Sequence, residues 1–319
     1  MPGPPQPMLA TTGELPAGSG WAFEFKWDGV RAIAVVDGAA VRLFARSGAE
    51  VTRAYPELAG LGPALAATGL SRVVLDGEVV VLDPQGRPNF TALAERMHVR
   101  ETSRAAALAA ALPVTYMIFD VLRADDEAVA AQPYAWRRAW LDGLAARLGA
   151  TPRWLVPPSF DDGAATVAAS NELGLEGVVA KRLDAPYRAG LRSPDWIKIK
   201  NDKTGEYVVG GWRPGARELG ALLVGTLRPD GRLDYRGRVG GGISAVAERR
   251  LLAQVRQLQA TESPFANPLP RDDARDAHYV RPELVVEVRY GNRTPDGRLR
   301  FPRFVRLRPD KSPAEADDA

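Results

Sequence analysis

The chain has 319 residues, of which 45% are hydrophobic and 25% charged, and its net charge is +3 at pH 7. This length favours two domains, and the composition is that of an ordinary globular protein. The absence of cysteine excludes disulfides, thiolate catalysis and zinc–thiolate sites, and two histidines are too few for a multi-histidine metal site. Residues 1–16 lack signal-peptide features and no apolar run is long enough to span a membrane, so we expect a cytoplasmic protein without membrane contact.

The first two-thirds of the chain predicts short strands mixed with helices, after an irregular segment at Met1–Gly20. Alternating and β-branched patterns predict strands at Trp21–Lys26, Ala32–Val36, Ala40–Phe44, Arg72–Leu82, Val114–Leu122, Gly177–Lys181 and Trp196–Lys200. Helical periodicity predicts helices at Tyr55–Ala67, Tyr134–Leu148 and Ala164–Leu173.

After Asn201 the pattern changes to short strands separated by turns. The predicted strands are Tyr207–Trp212, Ala221–Leu227, Arg232–Val239, Leu284–Tyr290 and Phe304–Leu307, with one helix at Ala245–Ala260. Five strands and one helix are typical of a small closed β-barrel of the OB type. We place the domain boundary near residues 201–206 and expect disorder at Ser312–Ala319.

The region Arg281–Lys311 carries nine Lys/Arg against four Asp/Glu. This basic segment indicates a polyanionic partner, although solvated strand faces would carry the same residues.

Lys26 lies at the end of a predicted strand, in the hexapeptide Lys26-Trp27-Asp28-Gly29-Val30-Arg31. A free lysine, with a pKa of about 10.4, is a poor nucleophile at neutral pH. It becomes a nucleophile where a nearby cation or desolvation lowers that pKa. Taken alone, the hexapeptide is better explained as a surface hairpin.

Other charged residues on predicted strands favour a nucleophilic Lys26 over a surface hairpin. Glu78 lies within a β-branched strand, Glu176 precedes another, and Lys198 and Lys200 alternate on one strand face. Two carboxylates and three lysines on converging strands would suit a metal-bound triphosphate. An edge strand whose charges oppose aggregation explains the Lys198/Lys200 pair equally well. No P-loop and no Rossmann glycine motif follows a predicted strand.

In order along the chain, these segments resemble the motifs of the covalent nucleotidyltransferases, the superfamily of ATP-dependent DNA ligases, RNA ligases and mRNA capping enzymes. The matching segments are Lys26–Arg31, Arg46–Gly48, Leu75–Glu78, Tyr116–Asp120, Glu176–Lys181, Trp196–Lys200 and Arg308–Lys311. Three further stretches are similar to the small bacterial end-joining and repair ligases, including the ligase module of the multidomain end-joining enzyme: Pro7–Ala10, Gly210–Gly215 and Arg236–Gly242. Arg300–Phe304 also resembles a ligase segment.

The resemblance implies an α+β fold, with an adenylation (nucleotidyltransferase) domain of antiparallel sheets and flanking helices at 1–203 and an OB-fold domain at 204–319. It implies an ATP-dependent DNA ligase that seals 3′-hydroxyl/5′-phosphate nicks or breaks through lysyl-AMP and DNA-adenylate intermediates. ATP and Mg²⁺ or Mn²⁺ would be its cofactors, and nicked or broken duplex DNA its substrate. A monomer at the bacterial nucleoid, working with end-joining or repair proteins, is expected.

The family's roles transfer to individual residues. Lys26 would attack ATP, and Glu24 and Phe119 would contact and stack on adenine. Arg31 and Arg46 would hold the ribose and later the nick phosphate. Glu78 and Glu176 would bind metal, and Glu78 would also belong to the nucleotide site. Arg192, Lys198 and Lys200 would contact phosphates. Arg308 and Asp310 would act in the first step.

Each of these residues also has a structural explanation, and two other functions stay open. Phe119 would be plain core, Glu176 a surface residue after a helix, and Arg46 a solvated hairpin residue. RNA ligation or GTP-dependent capping shares the nucleophile motif. A catalytically idle nucleic-acid-binding adaptor would need only the basic second domain.

Overall fold

The computed structural model of the chain describes residues 6–125, 127–149, 151–294 and 296–318. Between Asn201 and Asp202 the chain divides into two compact units. The strands of the first unit are β1 (Leu9–Thr12), β2 (Trp21–Phe25), β3 (Val30–Asp37), β4 (Ala40–Ala45), β5 (Arg72–Val80), β6 (Thr115–Ala124), β7 (Glu127–Ala128), β8 (Trp154–Leu155), β9 (Gly177–Arg182) and β10 (Arg192–Lys200). Its helices are α1 (Leu61–Ala67), α2 (Phe90–Ala94), α3 (Thr102–Ala111), α4 (Tyr134–Leu148) and α5 (Gly163–Glu172).

Two sheets form the first unit. One has the order β1-β10-β9-β2, and the other has the order β4-β3-β5-β6-β7, with β8 alongside β6. Most neighbours are antiparallel, whereas β1 runs parallel to β10 and β8 parallel to β6. The main core lies on the larger sheet, where Val73, Leu75 and Val79 of β5 are fully buried. Burial of such β-branched and aliphatic side chains is the main stabilising contribution of this sheet.

Two glycines, Gly29 in the lysine hexapeptide and Gly177 at the start of β9, allow neighbouring strands to approach closely. A Cβ atom on Gly29 would lie 2.3 Å from the carbonyl oxygen of Val79, and one on Gly177 would lie 2.0 Å from that of Ile199. Gly177 also has a φ of +148°, which residues with side chains rarely adopt. Both positions therefore require glycine, and both set the approach of neighbouring strands.

The second unit is a five-stranded antiparallel sheet with two helices. Its elements are β11 (Lys203–Arg213), β12 (Ala221–Leu227), β13 (Leu233–Val239), α6 (Ala245–Val255), α7 (Arg271–Ala274), β14 (His278–Tyr290) and β15 (Arg303–Leu307). The strand order is β13-β12-β11-β14-β15. Within the described residues, the two edge strands of this sheet, β13 and β15, are connected by an isolated parallel bridge. It joins Gly241, just after β13, to Arg303, the first residue of β15. The OB-type strand set is present, but the prediction of a closed barrel is wrong, because no continuous ladder joins β13 to β15 in the part of the chain described.

Several predicted elements keep their bounds and others change. The bounds of α4 and β12 are those predicted, and most other strands differ by a few residues. The Tyr55–Ala67 helix is wrong in its first half, where Pro56–Gly60 is a 3₁₀ turn ahead of α1. Pro56 at its start and Gly60 at its end disfavour a continuous α-helix. The helix predicted to reach Ala260 ends at Val255, and the sequence patterns missed α2 and α3.

Both segments predicted to be irregular contain ordered structure. Within Met1–Gly20, residues 9–12 form β1, whose pairing with β10 is distant in sequence and so leaves no local signal. Within Ser312–Ala319, Pro313–Glu315 forms a 3₁₀ turn with a capping box between Ser312 and Glu315. Residues 1–5 and 319 lie outside the described part of the chain.

Candidate active site

A cavity of about 220 Å³ in the first unit is lined by residues of both sheets. It contains most residues assigned from the sequence motifs. The lining consists of Leu9, Ala10, Glu24, Phe25, Lys26, Trp27, Arg31, Arg46, Glu78, Phe119, Val179, Lys181, Arg192, Trp196 and Lys198.

Lys26 follows β2 directly and is held on both its main chain and its side chain. Its backbone N–H donates to the carbonyl oxygen of Gly177 at 2.8 Å. Its Nζ forms an ion pair with Oε2 of Glu176, and the two side chains are 24% and 14% exposed. Lys200 Nζ contacts the other oxygen, Oε1, at 2.8 Å. One carboxylate therefore bridges the two lysines.

The positive charges around Glu176 change the pKa of its carboxyl group. Burial alone would raise the pKa of this carboxyl group, but Lys26 and Lys200 outweigh burial and lower it. Glu176 is thus an anion at neutral pH. The explanation of Glu176 as a plain surface residue does not fit this geometry.

Lys198 and Arg192 add positive charge on β10. Desolvation lowers the pKa of Lys198, and repulsion by Lys200, Lys26 and Arg192 lowers it further. Arg192 is exposed, and its guanidinium donates to the carbonyl oxygen of Ala10 in β1. A set of like charges this close together is stabilised when an anion binds among them.

Glu78 lies on β5 opposite Arg31 in the sheet register. Burial raises the pKa of Glu78 to about 8, although Arg31 and Lys26 oppose the shift. The carboxyl group is therefore largely protonated at neutral pH. Because metal ligands must be deprotonated, a cation at Glu78 would have to displace this proton.

Arg31 is held firmly by residues that the sequence motifs did not assign. Its Nε and Nη2 donate to the two carboxylate oxygens of the fully buried Asp76, at 2.7 and 2.5 Å. Nη2 also donates to the carbonyl oxygen of Met8 at 3.1 Å. The Tyr187 hydroxyl donates to Asp76 at 2.5 Å. These hydrogen bonds from Nε and Nη2 fix the orientation of the Arg31 guanidinium in the cavity wall.

Phe119 and Trp196 form the aromatic part of the wall. Their rings meet edge to face with centroids 6.3 Å apart. The Arg31 guanidinium carbon lies 4.8 Å from the centre of the Phe119 ring. Phe119 is half-buried and borders the cavity, so it is more than core.

Glu24 borders the same wall, and its carboxylate is already engaged. Lys181 Nζ lies 2.8 Å from Oε2 of Glu24, and the Tyr134 hydroxyl donates to Oε1. Arg46 completes the assigned set in the first unit as an exposed residue after β4.

Arg308 and Asp310 belong to the second unit, where they pair with each other. Arg308 donates to Asp310 through Nε at 2.9 Å and Nη2 at 2.8 Å. Its Nη1 contacts Glu206, which also accepts from Lys311 at 2.7 Å. The sequence motifs missed Glu206, although a carboxylate inside an apolar strand is a signal that could have identified it.

The described residues contain no group of three or more His, Asp or Glu side chains arranged to hold a metal ion by themselves. No helix in that part of the chain has the length and apolar character needed to cross a membrane.

Comparison with known proteins gives a consistent result over both units. The profile of the ATP dependent DNA ligase domain matches residues 7–200, and that of the ATP dependent DNA ligase C terminal region matches residues 215–311. The multifunctional non-homologous end joining DNA repair protein LigD of Mycobacterium tuberculosis is 43% identical over 315 residues, which cover 97% of this chain and 39% of that protein. DNA ligase C1 of Mycolicibacterium smegmatis is 35% identical over 332 residues, which cover 98% of this chain and 92% of that protein.

A solved structure of mycobacterial DNA ligase D complexed with ATP and MES has a similar fold. Its TM-score is 0.57 at 42% sequence identity, with 99% of this chain and 98% of that chain covered. The family and the fold class expected from the motifs are confirmed. The chain spans about two fifths of the length of the curated LigD relatives. It belongs to the family of ATP-dependent DNA ligases.

Proposed function

We propose that this chain seals breaks in duplex DNA with ATP, through an AMP carried on Lys26. The observation that carries the proposal is the contact of Lys26 with Glu176 and, through it, Lys200, beside a cavity of motif residues. Family membership supports the same reaction, since the matched profiles are those of ATP-dependent DNA ligases. A catalytically idle nucleic-acid-binding adaptor would not need such an arrangement of charges.

The first step of this proposal forms lysyl-AMP. The Lys26 nitrogen attacks the α-phosphate of ATP, the new N–P bond forms, and pyrophosphate leaves. The amine must lose a proton, and Glu176 is the carboxylate in contact with it that can accept one. Lys198, Lys200 and Arg192 stabilise the negative charge that develops on the phosphates. Arg308 and Asp310 of the second unit would also act in this step.

Glu78, which lines the cavity, and Glu176, which contacts Lys26, also fit a divalent cation of the Mg²⁺ or Mn²⁺ type. Glu176 is anionic, Glu78 can ionise near pH 8, and Mg²⁺ is usually held by one or two carboxylates together with substrate phosphates and water. Such an ion would polarise phosphate oxygens as a Lewis acid. These two carboxylates would hold it.

The next two steps transfer AMP to a DNA 5′-phosphate and seal the strand. The 5′-phosphate oxygen attacks the phosphorus of lysyl-AMP, and Lys26 leaves. A 3′-hydroxyl then attacks the activated 5′-phosphate, a phosphodiester forms, and AMP leaves. In this proposal Arg31 and Arg46 first hold the ribose and then the nick phosphate, while Phe119 stacks on adenine.

Similarity to LigD supports a wider proposal about the setting of this reaction. We place the chain in bacterial end joining or repair, acting on nicked or broken duplex DNA as a monomer in the cytoplasm, at the nucleoid. End-joining or repair proteins would be its partners. The LigD relatives are multifunctional non-homologous end joining proteins, which supports this pathway.

Nick sealing tests the proposal. Matched nicked DNA and RNA duplexes should be incubated with ATP or GTP and with Mg²⁺ or Mn²⁺. We expect sealing of DNA with ATP, abolished by Lys26→Ala and retained by Lys203→Ala, an exposed lysine of β11. Labelling by GTP alone, or sealing of RNA alone, would instead support the RNA-ligase or capping alternative. Unchanged sealing by Lys26→Ala would overturn the proposal.

A further inference from the structure

Lys181 is the most deeply buried lysine of the cavity wall, with 1% of its surface exposed. It lies on β9, at the end of the motif that begins with Glu176. The motif assignments give it no role. A buried lysine is stable only when its ammonium group finds acceptors, because desolvation disfavours its charge.

The ammonium group of Lys181 connects two parts of the wall. It forms an ion pair with Oε2 of Glu24 at 2.8 Å and donates to the backbone carbonyl oxygen of Phe119 at 2.9 Å. Its remaining side faces three aromatic rings, with Nζ 4.7, 4.9 and 4.5 Å from the centres of Phe119, Tyr134 and Trp196. Lys181 therefore acts on neighbouring residues and has little capacity left for a ligand.

Glu24 is fixed at both of its carboxylate oxygens. Lys181 holds Oε2, and the Tyr134 hydroxyl, at the start of α4, donates to Oε1. Only 5% of Glu24 is exposed, yet the residue borders the cavity. An ionised carboxylate accepts hydrogen bonds and cannot donate them.

We propose that Lys181 is a positioning residue for base selection, which holds the Glu24 carboxylate in place as a hydrogen-bond acceptor and ties it to the backbone of Phe119. This inference rests on the proposed function, in which Glu24 and Phe119 meet adenine. An acceptor-only carboxylate favours a purine that offers an exocyclic amino group at the 6-position and disfavours one that offers a carbonyl oxygen there. Lys181 thus favours ATP over GTP without touching either.

Other charged groups near this cluster are themselves paired. Asp120 accepts two bonds from Arg137, and Arg138 is paired with Asp142. Desolvation lowers the pKa of Lys181, while Glu24 and Asp120 oppose the shift and Arg138 reinforces it. Glu24 is the carboxylate in direct contact with the ammonium group, so removing the ammonium should act first on Glu24.

The test compares Lys181→Met with the parent chain in lysyl-AMP formation from labelled ATP and GTP. Methionine keeps the apolar contacts with the three rings and removes the charge. We expect the KM for ATP to rise at least about tenfold, as for loss of a charge-assisted hydrogen bond, with kcat changed far less. The preference for ATP over GTP should fall, because Glu24 loses the contact that fixes its Oε2 oxygen in the cavity wall.

Two further measurements separate this role from a purely structural one. Tyr134→Phe should shift the KM in the same direction by a smaller factor. Tyr55→Phe, a buried tyrosine that does not border the cavity, should alter neither the KM nor the preference.

Parental KM and parental ATP preference in Lys181→Met would overturn the inference, as would a loss of kcat at unchanged KM. If thermal unfolding shows that Lys181→Met is not folded, the KM for ATP and the ATP preference of Tyr134→Phe test the inference by the same criteria. Failure of the parent chain to take up label from ATP would instead refute the proposed function. Normal labelling of the parent with unchanged variants would refute only the role of Lys181.

Discussion

At the scale of single residues, the proposed chemistry rests on the contact between Glu176 and Lys26. The carboxylate is anionic because Lys26 and Lys200 lower its pKa against the effect of burial. It restrains the amine on the side of the cavity where β9 and β10 pair. Its position next to Gly177 explains why the glutamate and the glycine occur together.

Glu176→Gln tests this contact. Glutamine keeps the shape of the side chain but loses the charge that pairs with Lys26 and Lys200. We expect lysyl-AMP formation to fall by about 100-fold, the usual scale for losing a positioned charge in an active site. A gel assay with labelled ATP measures it. Glu172→Gln, an exposed carboxylate at the end of α5, should behave as the parent, and similar rates for both variants would contradict the role.

Glu78 gives a pH-dependent prediction. Its pKa is raised from 4.5 to about 8 in the folded chain, so the unfolded chain ionises first as the pH rises. Glu78 therefore costs stability increasingly above pH 4.5, until it ionises in the folded state near pH 8. We expect the unfolding free energy of Glu78→Gln to exceed that of the parent by more than about 1.4 kcal/mol near pH 8, the equivalent of one pKa unit.

Urea unfolding across this pH range, without nucleotide or metal, measures the effect. The difference between Glu78→Gln and the parent should shrink toward acid pH. Glu95→Gln, an exposed carboxylate after α2, should show no such trend. Parallel curves for parent and Glu78→Gln would contradict the assignment.

At the scale of elements, the pairing of β9 with β10 brings the charged residues together. Gly177 pairs with Lys200, and Lys181 pairs with Trp196, so one antiparallel ladder carries Lys200 and the buried Lys181, and it begins directly after Glu176. β2 pairs with the other edge of β9 and delivers Glu24 and then Lys26. Small changes of register here would move several active-site groups at once.

Gly177→Ala tests the ladder. The added Cβ atom would lie 2.0 Å from the carbonyl oxygen of Ile199, and the backbone has a φ of +148°. We expect a loss of about 1–3 kcal/mol in unfolding free energy, with a loss of lysyl-AMP formation. Gly143→Ala is the matched control, because its Cβ atom on α4 would meet nothing and should stabilise the helix by about 0.5–1 kcal/mol. Equal stability of the two variants would contradict the close approach.

The sequence predicted much of this element framework, and its failures have physical causes. The bounds of β12 and α4 were predicted because β12 is a short apolar run between turn residues, and α4 is rich in helix-forming residues between Pro133 and Gly149. β1 exists through pairing with a strand far away in sequence, and its residues carry no alternation of their own. The ordered turn after Ser312 depends on a capping box in a polar stretch that composition alone describes as disordered.

The same limit applies to the active site. Lys26, Glu176 and Lys198 stand in motifs and could be named from the sequence. The roles of Asp76, which lies within the motif Leu75–Glu78, and of Tyr187 could not be named, because they fix Arg31 through contacts that form only in the folded chain. The roles of the motif residues in catalysis remain predictions that the experiments above address.

At the scale of the whole molecule, the chain combines a first unit that carries Lys26 with a second unit that carries Arg308 and Asp310. The proposal gives the second unit a task in the first chemical step, so its effect should depend on the step. Arg308→Ala should slow lysyl-AMP formation by about 100-fold, as for loss of a cation that stabilises transferring phosphates. Sealing of a nick that already carries AMP should change far less.

Single-turnover assays of the two steps measure this difference. Arg306→Ala, an exposed arginine two positions earlier on β15, serves as the control for the first step. Equal losses in both steps for Arg308→Ala would mean that Arg308 acts on DNA or on folding rather than on ATP.

The most direct test of the central claim is to locate the AMP. The purified chain should be incubated with ATP and Mg²⁺, digested and mapped by mass spectrometry, before and after addition of nicked DNA. We expect one AMP adduct, on Lys26, which disappears as the nick is sealed. An adduct on another lysine such as Lys198, or sealing of DNA with no adduct on Lys26, would contradict it.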